Sequence, residues 1–133
     1  MMRKLDQRGV AALEFCLVAV PLFTLMFAIF DFGRYAITMQ SLRMLANAGA
    51  RAVMLCYDPA NKTYTCGTGD PLSAAAKQAI APFLYSGGLT PTLNATQGAT
   101  ALTVTASQPS FTMLTPIWGT AFDAPSASTS IPL

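Results

Sequence analysis

The chain contains no histidine. That removes Ser-His and Cys-His nucleophile pairs and the commonest metal ligand. Charge is scarce as well. Asp, Glu, Lys and Arg make up 11% of the 133 residues, against roughly 25% in an ordinary soluble domain. The net charge of +2 arises largely in the first eight residues and at Arg34, Arg43 and Arg51. The C-terminal part therefore has no basic patch to grip a phosphate backbone, and nucleic acid is not an expected partner. Cysteine is limited to three residues. Two of them with no second pair make half a zinc site at best, so neither metal nor cofactor is expected. With no acid pair near a candidate cleft, no residue is expected to be catalytic.

What is present is one long apolar run. Val10 to Phe30 is 21 residues with one charge, Glu14, and one proline, Pro21. That length is what a helix needs to cross about 30 Å of hydrocarbon. Arg3, Lys4 and Arg8 precede it against Asp6, which predicts a cytoplasmic N-terminus. A cleaved secretory signal does not fit, because the run is too long and Asp31-Phe32-Gly33-Arg34 follows with no small-x-small site. A lipoprotein signal does not fit either, since Cys16 follows Leu13-Glu14-Phe15 near the start of the run. An uncleaved single-span anchor, carrying a periplasmic binding or accessory domain of an envelope complex, is the plain alternative. It leaves Glu14 unexplained, although a lone charge in the bilayer costs a few kcal/mol on insertion scales.

No proline occurs between Pro21 and Pro59. Phe32, Tyr35, Ala36, Met39, Leu42, Ala46, Gly49, Ala52, Val53 and Cys56 recur at spacings of three and four, a helical stripe, with Arg34, Thr38, Arg43, Asn47 and Arg51 largely off it. One helix is predicted from about Val10 to about Leu55, about 70 Å long. Residues 1–9 precede it as a leader, 10–30 span the membrane, and 31–56 extend it as an amphipathic stalk. Pro21 predicts a kink or local stretching. Ala46 with Ala50, and Ala48 with Ala52, place small residues one turn apart, which permits close helix approach; one side of the stripe is expected to cover the chain's own C-terminal domain and the other to meet neighbouring helices.

Residues 57–133 form a small extracytoplasmic domain of marginal size for its own core. Cys56 and Cys66 flank a polar stretch and, outside the cytoplasm, suit a disulfide. Cys16 remains as a small apolar residue. Asn61-Lys62-Thr63 and Asn94-Ala95-Thr96 match glycosylation acceptors, but they read as turns. Asp70-Pro71 opens a short helix with Leu72, Ala75, Ala76, Ala79, Ile80 and Phe83 on its apolar face. Lys77 and Gln78 lie opposite, and Ser73 with Lys77 reads as an exposed face rather than a nucleophile pair. Gly87-Gly88 stops it. From Ala101 the residues alternate, with Leu102, Val104 and Ala106 on one face of a strand. Phe111, Met113, Leu114, Ile117 and Trp118 are the expected packing residues, and Ser126 to Ile131 a last strand. The fold class is α+β. A long N-terminal membrane-spanning helix carries one short helix and a two- to four-stranded antiparallel sheet.

Gly9-Val10-Ala11-Ala12-Leu13-Glu14-Phe15 resembles the processing motif of type IV prepilins. The resemblance implies that a prepilin peptidase cuts after Gly9, leaving Val10 as the new N-terminus with glutamate fifth after the cut. It also implies that Glu14 of one subunit pairs with the Val10 ammonium of its neighbour. Glu14 near a hydrated interface, or paired with its own amine one turn away, are the local alternatives. Together with Asp31-Phe32-Gly33-Arg34 after the span, the segment resembles the TadE-like family, the minor pilins or pseudopilins of the tight-adherence pilus. Leu114-Thr115-Pro116 and the Ser/Thr/Ala-rich end resemble that family's C-terminal part. Phe15 stands where its major pilins usually carry tyrosine, which favours the minor subunit. The resemblance implies a pilin-like, non-catalytic subunit of the inner membrane, with its C-terminal domain in the periplasm. It would prime or cap a filament, and its partners would be other pilins, the inner-membrane assembly platform and lipid.

Overall fold

The computed structural model describes residues 7–61, 63–65 and 69–132. One helix dominates it. α1 runs Gln7–Met54, which at 1.5 Å per residue is a rod of about 72 Å. It starts a turn earlier than Val10, so Gly9 lies inside the helix. Pro21 is also internal and does not end it. Next to the proline, the Thr24 hydroxyl donates to the Val20 carbonyl at 2.8 Å. Between Val10 and Phe30 the large apolar side chains stand exposed.

Beyond Phe30 the helix acquires a covered face. Asp31, Thr38, Leu42, Leu45, Ala46, Gly49, Ala50 and Val53 are buried. This is the expected stripe turned by part of a residue step. Ala36 is exposed, and Thr38, read as lying off the stripe, is 2% exposed. Thr38 tolerates burial because its hydroxyl donates to the Arg34 carbonyl at 2.8 Å, as threonine does inside helices. Ala46 and Ala50 cover the chain's own sheet instead of awaiting a neighbouring helix.

That sheet has three strands: β3 (Thr92–Gln97), β4 (Ala101–Ser107) and β5 (Ser126–Pro132), ordered β3-β4-β5 and antiparallel throughout. The register pairs Leu93 with Ala106, Ala95 with Val104, and Val104 with Thr129. Leu93, Ala95, Leu102, Val104 and Ala106 are buried as one core with Leu42, Leu45, Ala46, Ala50 and Val53 of α1. The alternation on β4 is the one predicted. β3 follows the same period-2 rule over a shorter stretch, and Asn94 sits within it, not in a turn. Two further strands, β1 (Tyr57–Asp58) and β2 (Thr63–Tyr64), form a minimal hairpin after α1. Asp58 organises its turn by accepting from the Ala60 backbone at 2.9 Å and from Asn61 Nδ2 at 2.7 Å.

The second helix, α2 (Ala74–Ile80), begins later than Asp70-Pro71 suggests. Ser73 is the N-cap, and its hydroxyl accepts from the Ala76 backbone at 3.3 Å. Asp70 instead holds the preceding turn, accepting from Leu72 N at 3.2 Å, and forms an ion pair with Lys77. Lys77 is therefore not on a solvated face. It is 9% exposed, with its charge matched by Asp70. Pro82 opens a 3-10 segment, Pro82–Gly88, which buries Leu84.

Residues 108–125 form a loop between β4 and β5, with a 3-10 turn at Pro116–Trp118. Its neck is closed by Gln108 N to the Pro125 carbonyl (3.0 Å) and Ala124 N to the Phe111 carbonyl (3.0 Å). Phe111 is buried, as expected. Leu114 and Ile117 are not packed on the helix: they are 75% and 56% exposed.

Gly49 is where helix and sheet approach most closely. A Cβ there would lie 3.0 Å from Leu93 Cδ2 and 3.1 Å from Val104 Cγ1. Gly49→Ala gains about 1 kcal/mol of helix propensity against a contact that two flexible side-chain ends can relieve. Its net change should stay within about 1 kcal/mol. Gly49→Leu adds volume that nothing can accommodate, and should cost about 3 kcal/mol. Denaturant midpoints of the protein in detergent micelles check both.

Candidate functional site

The residues singled out in the sequence fall into two groups separated along one rod. Gly9, Val10, Glu14 and Phe15 lie near the start of α1. Glu14 is exposed and makes no ion pair among the described residues. Asp31 follows 17 positions later, about 25 Å along the axis, so nothing brings the two groups together. Cys16 is a free, exposed thiol. Cys56 is disulfide-bonded, while Cys66 lies outside the described residues.

The second group makes the most developed polar contact in the molecule. Asp31 is the first residue after the apolar run, yet it is 1% exposed. Loop 108–125 covers it and supplies donors. Leu114 N donates to Oδ1 at 3.1 Å, and Thr115 N and the Thr115 hydroxyl donate to Oδ2 at 2.6 Å each. Arg34 Nη1 approaches Oδ1 at 3.6 Å from one helical turn away. Burial alone would raise the Asp31 pKa. The three hydrogen bonds from Thr115 and Leu114, with the Arg34 charge behind them, outweigh it and hold the carboxyl below its ordinary value. The side chain is thus an ionised acceptor tying backbone 83 and 84 residues away onto the helix.

Aromatic rings surround this latch. Phe32 meets Trp118 at 5.4 Å and Phe122 at 5.7 Å between ring centroids. Tyr35 meets Phe122 at 5.2 Å. These are edge-on contacts, the favoured geometry for rings. Arg34 lies over Phe111, with Cζ 5.3 Å from the ring centre, within cation–π range. Gly33 faces open space: a Cβ there would meet nothing within 4 Å. The motif Asp31-Phe32-Gly33-Arg34 therefore divides its tasks. Asp31 binds the loop, Phe32 and Arg34 pack against its rings, and Gly33 leaves the helix surface bare.

Leu114-Thr115-Pro116, noted in the sequence only as a second motif, is the other half of this contact. Sequence reading did not join the two. The one available signal was an acid placed directly after an apolar run, with an arginine three residues on but no other cation beside it.

Above the latch, a cavity of about 330 Å³ is lined by Arg34, Thr38, Leu84, Gln108 and Phe111, among others. Gln108 Nε2 donates to the Leu84 carbonyl at 3.1 Å. Its Oε1 and Arg34 Nη1 have no hydrogen-bond partner among the described residues.

Among the described residues one exposed apolar helix, long enough to cross a membrane, carries a small α+β head locked onto its far half. The family model for TadE-like protein matches residues 9–51. The match takes in both the motif at Gly9–Phe15 and the motif at Asp31–Arg34 and leaves the residues after 51 uncovered. No curated protein and no solved structure matches the chain.

Proposed function

We propose that the chain is a minor pilin or pseudopilin of a tight-adherence, type IVc, pilus. A prepilin peptidase cuts it after Gly9. The processed subunit, starting at Val10, sits in the inner membrane through residues 10–30, with residues 31–56 as a stalk and 57–133 as a periplasmic head. It joins other pilins at the assembly platform and primes or caps the filament, with Glu14 meeting the Val10 ammonium of a neighbour. The observation that carries this reading is the position of Glu14. It is a carboxylate on a bare helix face, five residues after a glycine, inside a TadE-like match. The periplasmic head is supported by the basic leader and by the oxidised state of Cys56. Cys66 is its proposed partner.

The test is the intact mass of the chain purified from membranes, with and without co-expressed prepilin peptidase. Loss of Met1 to Gly9 only when the peptidase is present is the expected result. A leader retained in both samples would return the protein to an uncleaved membrane anchor.

A further inference from the structure

We propose that loop 108–125 seats the head on the bilayer, with Leu114, Ile117 and Trp118 resting in the headgroup region of the periplasmic leaflet. The proposal rests on the reading of residues 10–30 as a span.

Height along the rod is the first argument. Leu114 and Thr115 are bonded directly to Asp31, the residue at which the apolar run ends. Val10 to Phe30 covers about 31 Å as a helix, which matches the hydrocarbon thickness. The loop therefore lies at the level where the helix leaves the lipid.

Composition is the second. Gln108 to Phe122 contains no charged residue. Its side chains Leu114 and Ile117 are 75% and 56% exposed. Phe32, against which Trp118 packs at 5.4 Å, is 45% exposed. Apolar groups gathered at one end of a small head usually mark an interface. One turn below Asp31, where the loop is attached, Phe27 is 54% exposed and begins the bare apolar surface of the run. The patch's occupant is then the same lipid that covers that surface. Tryptophan and tyrosine are the residues enriched at this depth, and Trp118 and Tyr35 both belong to the ring cluster beside the latch, where the Trp118 Nε1 is buried and the ring lies behind Leu114 and Ile117 rather than ahead of them.

Preorganisation is the third. The loop's neck is closed by hydrogen bonds, and Met113 N donates to Asp123 Oδ1 at 3.0 Å. The patch is already formed, so little chain entropy is lost when lipid covers it.

Trp118 is the chain's one tryptophan, so its fluorescence reports this site alone. The full chain is reconstituted into phosphatidylcholine–phosphatidylglycerol vesicles carrying bromine either near the acyl carboxyl end or near the terminal methyl. Shallow bromine should quench about half of the Trp118 emission, and deep bromine much less. Leu114→Ser with Ile117→Ser changes two exposed side chains and leaves the Asp31 bonds in place. It should lower the shallow quenching about twofold and shift the emission to the red. A Phe23→Trp, Trp118→Phe variant reports the span itself and should be quenched most by deep bromine. If that probe is quenched while Trp118 is untouched by either bromine, the loop does not meet lipid and the proposal falls. A blue-shifted but unquenched Trp118 would mean that the chain's own rings at Phe32 and Phe122, and not lipid, surround the indole, which also overturns it. An unquenched Phe23→Trp probe would instead strike at the span.

Discussion

Asp31→Ala should release loop 108–125 from the helix. The carboxylate accepts three hydrogen bonds and is almost fully buried. Truncation leaves two backbone N–H groups, a hydroxyl and the Arg34 guanidinium facing a void. Removing one partner from a buried charged network costs about 3 kcal/mol or more, a large share of the stability of a domain this small. Asp31→Asn keeps the shape but should lose nearly as much, because its NH2 would face donors where an acceptor is needed. Thr115→Val removes only the hydroxyl bond and should cost about 1 kcal/mol. Denaturant midpoints in micelles order the three variants, and hydrogen exchange at the Leu114 and Thr115 amides locates the loss. The acid dependence follows from the sign of the shift. The Asp31 pKa is lower folded than unfolded, so its contribution is present above the unfolded value of about 4 and is lost as pH falls through the folded one. The Asp31→Asn protein should lose that part of the acid sensitivity. An unchanged pH profile would show that the latch is not ionised.

Glu14→Gln should leave processing intact and abolish filaments. The substitution keeps size and polarity and removes the charge. Peptidase recognition, read as the appearance of the chain starting at Val10, should match that of the unaltered protein. Assembly should fall to background, because on the proposed pairing the neighbour's ammonium would enter an apolar surround with no counter-ion. An unpaired charge at that depth costs a few kcal/mol per subunit, and each added subunit meets the cost again. Electron microscopy of sheared filaments reads the outcome directly. Normal filaments from the glutamine variant would rule out the pairing.

The parts of this architecture written locally were legible. The apolar run, the unbroken helix through the stalk, the alternation on β4 and the last strand all follow from side-chain period within a few residues. The parts written at long range were not. Nothing near Asp31 says that its partners are Leu114 and Thr115, because the pairing depends on where a loop returns. Lys77 looked solvated because a helix wheel does not show that Asp70 folds back over it. Leu114 and Ile117 looked like core because hydrophobicity does not distinguish a side chain packed on protein from one left bare. Gly49 was placed on the buried face, but its tight contact with Leu93 and Val104 became visible only once β3 and β4 were in place. Glu14 and Gly9 stand out only through the motif they form, and no contact among the described residues bears on them.

The head grips α1 at two heights, by the Asp31 latch and by the sheet over Leu42 to Val53. A tensile load on the head therefore enters the rod through two attachments in parallel, and the turns between them are bridged by the domain. Below Asp31 the described residues offer no second path. The same load passes along a single column of backbone hydrogen bonds, and at Pro21 that column lacks one donor. Under tension the rod should lengthen first around Pro21, while the head and the stalk above Asp31 move as one piece.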